Sequence, residues 1–293
     1  MNESSDCEQR FRPPRSSRPR RSAWYILAAA AIGVLLLTLF WPTFRWLWWS
    51  WRTSEYYSHG PLVPLVAGYL AWRRRPTGEP ASPSNWGLLG LGVGLGGYLM
   101  ATTLRAPFLS ALAFIVVLGG LVEFLLGGQA LRRWLFPLAY LGFAVPLPFV
   151  DTVATHMQGW TAQAATALVR AMGVPAASEG GRITLTSCSL VVGAPCSGMR
   201  SLVALLAVAA VLAYVLRGAW LKRGVLFLLA APLAVAANII RVLSLLLVVN
   251  GWGEDVALRY WHTFSGPFFF LAALGLLIAA SWGLGCREIR ADI

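Results

Sequence analysis

The chain has 293 residues, 57% hydrophobic and only 12% charged, with 14 Trp, a composition too apolar for a soluble globule of this length. Its formal charge of +12 comes mostly from arginine in short clusters between apolar runs, a distribution that reflects membrane topology and not nucleic-acid binding. Long unbroken Leu/Ala/Val/Gly blocks exclude a transmembrane barrel, whose strands alternate over about ten residues, and leave helices of roughly 20 apolar residues that satisfy their own backbone.

Residues 1–21 include RFRPPRSSRPRR, with too little apolar surface to fold, and are expected to form a disordered, basic cytoplasmic tail. A cleaved signal peptide does not fit, because the run at 23–41 is too long and no small-residue cleavage site follows it. Apolar runs at 23–41, 56–72, 86–104, 108–126, 134–150, 198–216, 225–249 and 266–284 predict an all-α polytopic protein with eight transmembrane helices. The second run is short and carries Pro61 and Pro64. Keeping it places the tail, Arg73 to Arg75, Arg132 and Arg133, Arg217 with Lys222 and Arg223, and Arg287 with Arg290 on one side, as the positive-inside bias requires. Both termini are then cytoplasmic, with 22–286 a single transmembrane domain and 287–293 a short inner tail.

Three stretches fall on the outer side. The first, FRWLWWSWRTSEYYSHG, holds Trp46, Trp48, Trp49 and Trp51 and reads as a membrane-interface belt. In the second, 151–196, Val153, Met157, Trp160, Ala164, Leu168 and Met172 recur at helical spacing opposite polar residues, which predicts an amphipathic helix on the outer leaflet. The following GGRITLTSCSLVVGAPC predicts a small β-hairpin leading to Cys196. The third is the loop 250–265.

Cys196 sits where Gly-Ala-Pro gives way to an apolar helix. A helix N-terminus favours a thiolate, and Arg200, four residues on, would add positive charge from the same face. Gly198 would let another backbone approach closely, as a peptide substrate needs. The residues alone equally allow a buried inert cysteine or a disulfide with Cys188. Arg241 lies at hydrocarbon depth in PLAVAANIIRVLSLLLVVN, where a charge is tolerated only beside an interior partner or water, and Asn238 and Ser244 share its face. His262, just before the last span, falls on the same side as Cys196, as do His59 and His156. Any of the three could supply an imidazole. A thiol, a base and a cation for an oxyanion are the parts that acyl transfer from a peptide needs.

APCSGMRSL, then NIIR inside a later span, then a histidine in the last outer loop, together with YSHGPLVPLVAGYLAWRRR near the second span, resemble the exosortase/archaeosortase family of membrane cysteine transpeptidases. The resemblance covers most of the chain. It implies that Cys196 is the nucleophile, Arg241 the stabiliser of thiolate or oxyanion and His262 the acid/base; Arg200, Asn238, Gly198 and His59 are expected beside them as substrate-binding residues. It further implies substrates that are membrane-anchored proteins with a C-terminal sorting signal of short motif, apolar helix and basic tail. These would be cut at the outer face of the plasma membrane and passed to a surface acceptor. No cofactor and no metal is expected, and the partners are such proteins and the bilayer, not nucleic acid. Two readings from other classes compete. In a polytopic transporter Arg241 would be a counter-charge, but no duplicated pair of interrupted spans is present. In a non-enzymatic factor for surface-polymer export, Cys196 would merely pack.

Overall fold

The computed structural model describes residues 20–75, 82–186, 188–193 and 196–290. The tail expected at 1–21 lies almost wholly outside them, as do residues 291–293 and the Ala-Pro pair before Cys196. The described chain forms two compact units, divided between Pro42 and Thr43. The first is the helix α1 (Arg20–Leu39). The second begins within α2 (Trp41–Thr53) and continues as α3 (Leu62–Arg73), α4 (Trp86–Thr103), α5 (Pro107–Leu126), α6 (Gly128–Tyr140) and α7 (Val150–Ala171). After α7 come strands β1 (Ala176–Glu179), β2 (Arg182–Leu185) and β3 (Ser189–Val191), then α8 (Met199–Val215), α9 (Trp220–Trp252), α10 (Glu254–Val256) and α11 (His262–Gly283).

The protein is a helical membrane protein, but eight full-length spans do not emerge. Among the described residues, α5, α9 and the continuous helical stretch Glu254–Gly283 are long and apolar enough to cross a bilayer, and a fourth crossing requires the helices flanking residue 40 to count as one broken span. Two of the expected spans are shortened by proline. The run at 56–72 is helical only from Leu62, after a turn that ends at Pro61. The run at 134–150 ends as α-helix at Tyr140, continues as a 3-10 turn to Ala144, and is broken by Pro146 and Pro148 before α7 starts, because the residue before proline is pushed out of helical geometry. α4 has the length, but its glycines dilute its hydropathy. Those glycines serve packing: a Cβ on Gly90 would lie 2.9 Å from the Gly120 Cα and one on Gly94 2.9 Å from the Val117 nitrogen, so α4 and α5 meet backbone to backbone.

The aromatic stretch after α1 is a helix and not a loop. Trp48 and Trp49 are exposed, in keeping with an interface belt, whereas Trp51 turns inward and donates to the Ala144 carbonyl at 2.7 Å. α7 is amphipathic in a way the sequence pattern only half describes. Its small residues Ala154, Ala162, Ala165 and Val169 are fully buried with Met157, while the bulky Val153, Trp160, Leu168 and Met172 face outward. The bulky stripe read from the sequence is therefore the exposed face, Met157 excepted, and the protein-packing face is the small one.

The expected hairpin is a three-stranded antiparallel sheet in the order β1-β2-β3, with Glu179 paired to Arg182 across a Gly180-Gly181 turn and Ile183 opposite Leu190. β1, Ala-Ala-Ser-Glu, lacks the β-branched residues that mark a strand and is held by its pairing with β2. Ile183, Leu185, Leu190 and Val192 pack with α7 and the C-terminal half of α9 in one core, and Cys196 lies in it. A second core joins α8, α9 and α11 through Leu205, Leu226, Ala230 and Leu277. α9 runs through both, so residues near its middle sit where the sheet core and the helical core meet.

Candidate active site

Three elements bring the polar residues together. The chain leaving β3 reaches Cys196, which is 7% exposed, and turns through Gly198 at φ +80° into α8. α9 presents Asn238, Arg241 and Ser244 at successive three-residue steps, hence along one face. A π-helical turn at Ala257–Trp261 precedes α11 and re-registers the chain so that His262 points inward. That turn is tied to α9 by Trp261, whose indole donates to Ser244 Oγ at 2.9 Å, while Ser244 donates to the Arg241 carbonyl at 2.6 Å.

Cys196 Sγ lies 3.3 Å from His262 Nε2, a hydrogen bond in which the thiol donates when that nitrogen carries no proton. Arg241 Nε donates to Ser265 Oγ at 3.2 Å and its Nη2 to the His262 carbonyl at 3.4 Å. Ser265, buried to 1%, in turn donates to the same carbonyl at 3.3 Å. The guanidinium is thus fixed against the α11 turn that carries the histidine, and its charge acts on Cys196.

The electrostatics of the thiol differ from the sequence expectation. Burial pushes the Cys196 thiol up from its ordinary value, Arg241 offsets part of that, and Glu55 adds to the rise. Desolvation wins because the sulfur is inside a core. The helix N-terminus invoked to lower it is displaced: Gly198 in the left-handed conformation caps α8, so Cys196 lies two residues ahead of the cap. Arg200 is exposed and donates through Nε to the Glu55 carbonyl, so the neighbouring cation is Arg241. Cys188 and Cys196 are both free thiols.

Beside His262 and Arg241 opens a cavity of about 580 Å³ whose wall also includes His59, Arg200, Ser201 and Pro267. His59, stacked on Tyr57 with ring centroids 5.9 Å apart, and Arg200 therefore share a space with His262 and Arg241. Gly198 does not, and Asn238 meets Arg241 only in a small adjoining cleft. Asn238, 4% exposed, donates to the Cys196 carbonyl at 3.0 Å and to Thr161 Oγ1 at 3.3 Å. A Cβ on Gly198 would fall 2.7 Å from the Asn238 Cγ. The close approach that Gly198 permits is thus made by this side chain and not by a substrate backbone. His156 is exposed and bonded to the Thr152 carbonyl at 2.8 Å, away from the cavity wall.

Sequence reading missed Thr161, Ser265 and the Trp261–Ser244 tie. Thr161 lies in the polar-and-alanine stretch of α7, at the edge of the bulky stripe, and only its burial marks it. Ser265 stands two residues before Pro267 and three after His262, a spacing that could have suggested one face. Among the described residues no group of three or more His, Cys, Asp or Glu could hold a metal ion. The groups present can exchange a proton between sulfur and imidazole and can stabilise a negative oxygen or sulfur.

The model of one protein family, the transmembrane exosortases (Exosortase_EpsH), matches residues 48–279, which include every residue of this site. No curated protein and no solved structure matches the chain.

Proposed function

The chain belongs to the transmembrane exosortase family, and from that premise we propose that it is a membrane cysteine transpeptidase, with Cys196 as nucleophile, His262 as acid/base and Arg241 as electrostatic stabiliser. The observation that carries the reading is the 3.3 Å contact between Cys196 Sγ and His262 Nε2, with the Arg241 guanidinium held to the same turn as the histidine.

His262 takes the thiol proton as sulfur attacks the scissile carbonyl. A raised thiol suits this order, since the proton moves during attack and not before it. Arg241 stabilises the negative charge on the tetrahedral oxyanion. The imidazolium then protonates the leaving amine, and the substrate remains on Cys196 as a thioester. An acceptor amine attacks the thioester carbonyl, gives its proton back through His262, and leaves with the acyl group as the thiol re-forms. Water in place of the amine would make the same site a hydrolase.

The substrate is a membrane-anchored protein with a C-terminal sorting signal, which reaches the 580 Å³ cavity laterally and meets Arg200 and His59 on its wall. The distribution of arginine supports an orientation with both termini cytoplasmic and the site facing outward. The shorter apolar helices α3 and α8 are read in this orientation as contributing further crossings to those of the long helices. The test is a co-expressed protein bearing motif, apolar span and basic tail. Wild type shortens it, and Cys196→Ala, still folded in the membrane, leaves it intact. Equal shortening by both would remove Cys196 from the chemistry.

A further inference from the structure

We propose that Thr161 is a positioning residue for the nucleophile, acting through the side-chain amide of Asn238. This rests on the reading of Cys196 as nucleophile and assigns a role on α7, an element that otherwise packs against the sheet and α9.

The Asn238 amide has two N–H bonds. One points to the Cys196 carbonyl at 3.0 Å and the other to Thr161 Oγ1 at 3.3 Å. Both residues are almost fully buried, at 4% and 2% exposure, so water does not replace either partner. An asparagine amide has two orientations of nearly equal shape, and the flipped one would set its oxygen against the Cys196 carbonyl oxygen. The Cys196 carbonyl, which can only accept, selects the orientation that donates to it, and the Thr161 hydroxyl, by accepting the second N–H, holds the amide there. A turned amide would leave a buried donor unpaired. The close fit depends on Gly198, whose missing Cβ leaves the space that Asn238 fills.

The consequence for chemistry is geometric. The Cys196 amide donates to the Gly193 carbonyl at 2.9 Å, and its own carbonyl accepts from Asn238. The residue is pinned on both sides, and only the side-chain torsion remains to bring Sγ to His262. Releasing the carbonyl frees the backbone and lets the sulfur leave the imidazole. Thr161 lies outside the cavity wall and its hydroxyl meets the Asn238 amide, so it acts through Asn238.

The test uses the full chain in membranes, with Thr161→Val, which keeps the shape and removes the hydroxyl, and Thr161→Ser, which keeps the hydroxyl. Two quantities are read: the rate at which iodoacetamide alkylates Cys196, followed on the peptide that carries it, and kcat and KM for shortening of the sorting-signal substrate. Thr161→Val is expected to lower the alkylation rate and kcat by about tenfold, as displacement of a reacting group does, with KM within about twofold of wild type. Thr161→Ser is expected to restore both rates. A folded Thr161→Val that alkylates and turns over at wild-type rates overturns the proposal. If it does not accumulate, Thr161→Ala, which also removes the hydroxyl, decides: a similar loss of alkylation upholds the proposal and an unchanged rate overturns it. Shortening by Cys196→Ala would sink the assignment of the nucleophile instead, and because alkylation needs no substrate the two failures are distinguishable.

Discussion

Replacing Gly198 by alanine tests how tightly the nucleophile turn is specified. The residue holds φ at +80°, and an added Cβ would stand 2.7 Å from both Cγ and Nδ2 of Asn238 and 2.9 Å from its Cβ. The left-handed conformation costs an L-residue about 1–2 kcal/mol. The methyl cannot be accommodated by a flexible side-chain end, because it meets a short amide held from two sides. Asn238 must move, and a buried donor left without its partner costs about 1–3 kcal/mol. Together the variant should lose about 2–5 kcal/mol of stability and, because the displaced amide is the one that holds the Cys196 carbonyl, most of its activity. Gly275→Ala is the control, since a Cβ there meets nothing within 4 Å and alanine favours a helix. The assay is thermal unfolding of the detergent-solubilised protein beside substrate shortening in membranes. A Gly198→Ala protein as stable and active as Gly275→Ala would refute the packing argument at this turn.

Arg241→Lys should lose activity by about 10²-fold or more, as loss of one oxyanion donor does, with folded protein retained, because a point charge does not reproduce the two directed bonds to Ser265 and the His262 carbonyl; an active lysine variant would leave Arg241 a packing role. The Cys196 thiol is raised by burial and partly relieved by Arg241, so without substrate its alkylation should increase with pH through a midpoint above that of an ordinary cysteine. Arg241→Gln should move the midpoint higher still, since a stabilising cation is lost; a midpoint below the ordinary value would contradict the buried-thiol picture. Gly90→Leu should sharply reduce the folded yield, because a Cβ there would lie 2.9 Å from the Gly120 Cα; normal accumulation would mean that α4 and α5 can separate without harm.

What could be read from the sequence was what breaks the apolar background. Arg241 stood out because charge is rare inside a long apolar run, and Cys196 because it follows a helix-breaking triplet. Their convergence with His262 followed only from counting crossings, a method that the broken run at 134–150 weakens: Pro146 and Pro148 were visible there but were outweighed by the hydropathy around them. The side to which each polar group turns could not be read. Arg200 shares helical spacing with Cys196 in an ideal helix, but the left-handed Gly198 breaks that spacing and sends Arg200 to the Glu55 carbonyl. Spacing along α7 marked the bulky apolar face, most of which is exposed, but did not mark the face that packs on the protein, because that face is made of small residues that allow close packing against α9 and the sheet. Thr161 carries no local signal, because its role comes from an amide that reaches it across a distance of 77 residues in the chain.

The most direct test of the account is to look for the covalent intermediate. Membranes holding the full chain and a sorting-signal substrate are quenched during turnover, and the peptide containing Cys196 is examined for a mass adduct that hydroxylamine removes. The account predicts the N-terminal part of the substrate joined to Cys196 as a thioester, absent from Cys196→Ala and accumulating when the acceptor is withheld. Shortened product that forms with no adduct on Cys196, or with one on Cys188, would contradict it.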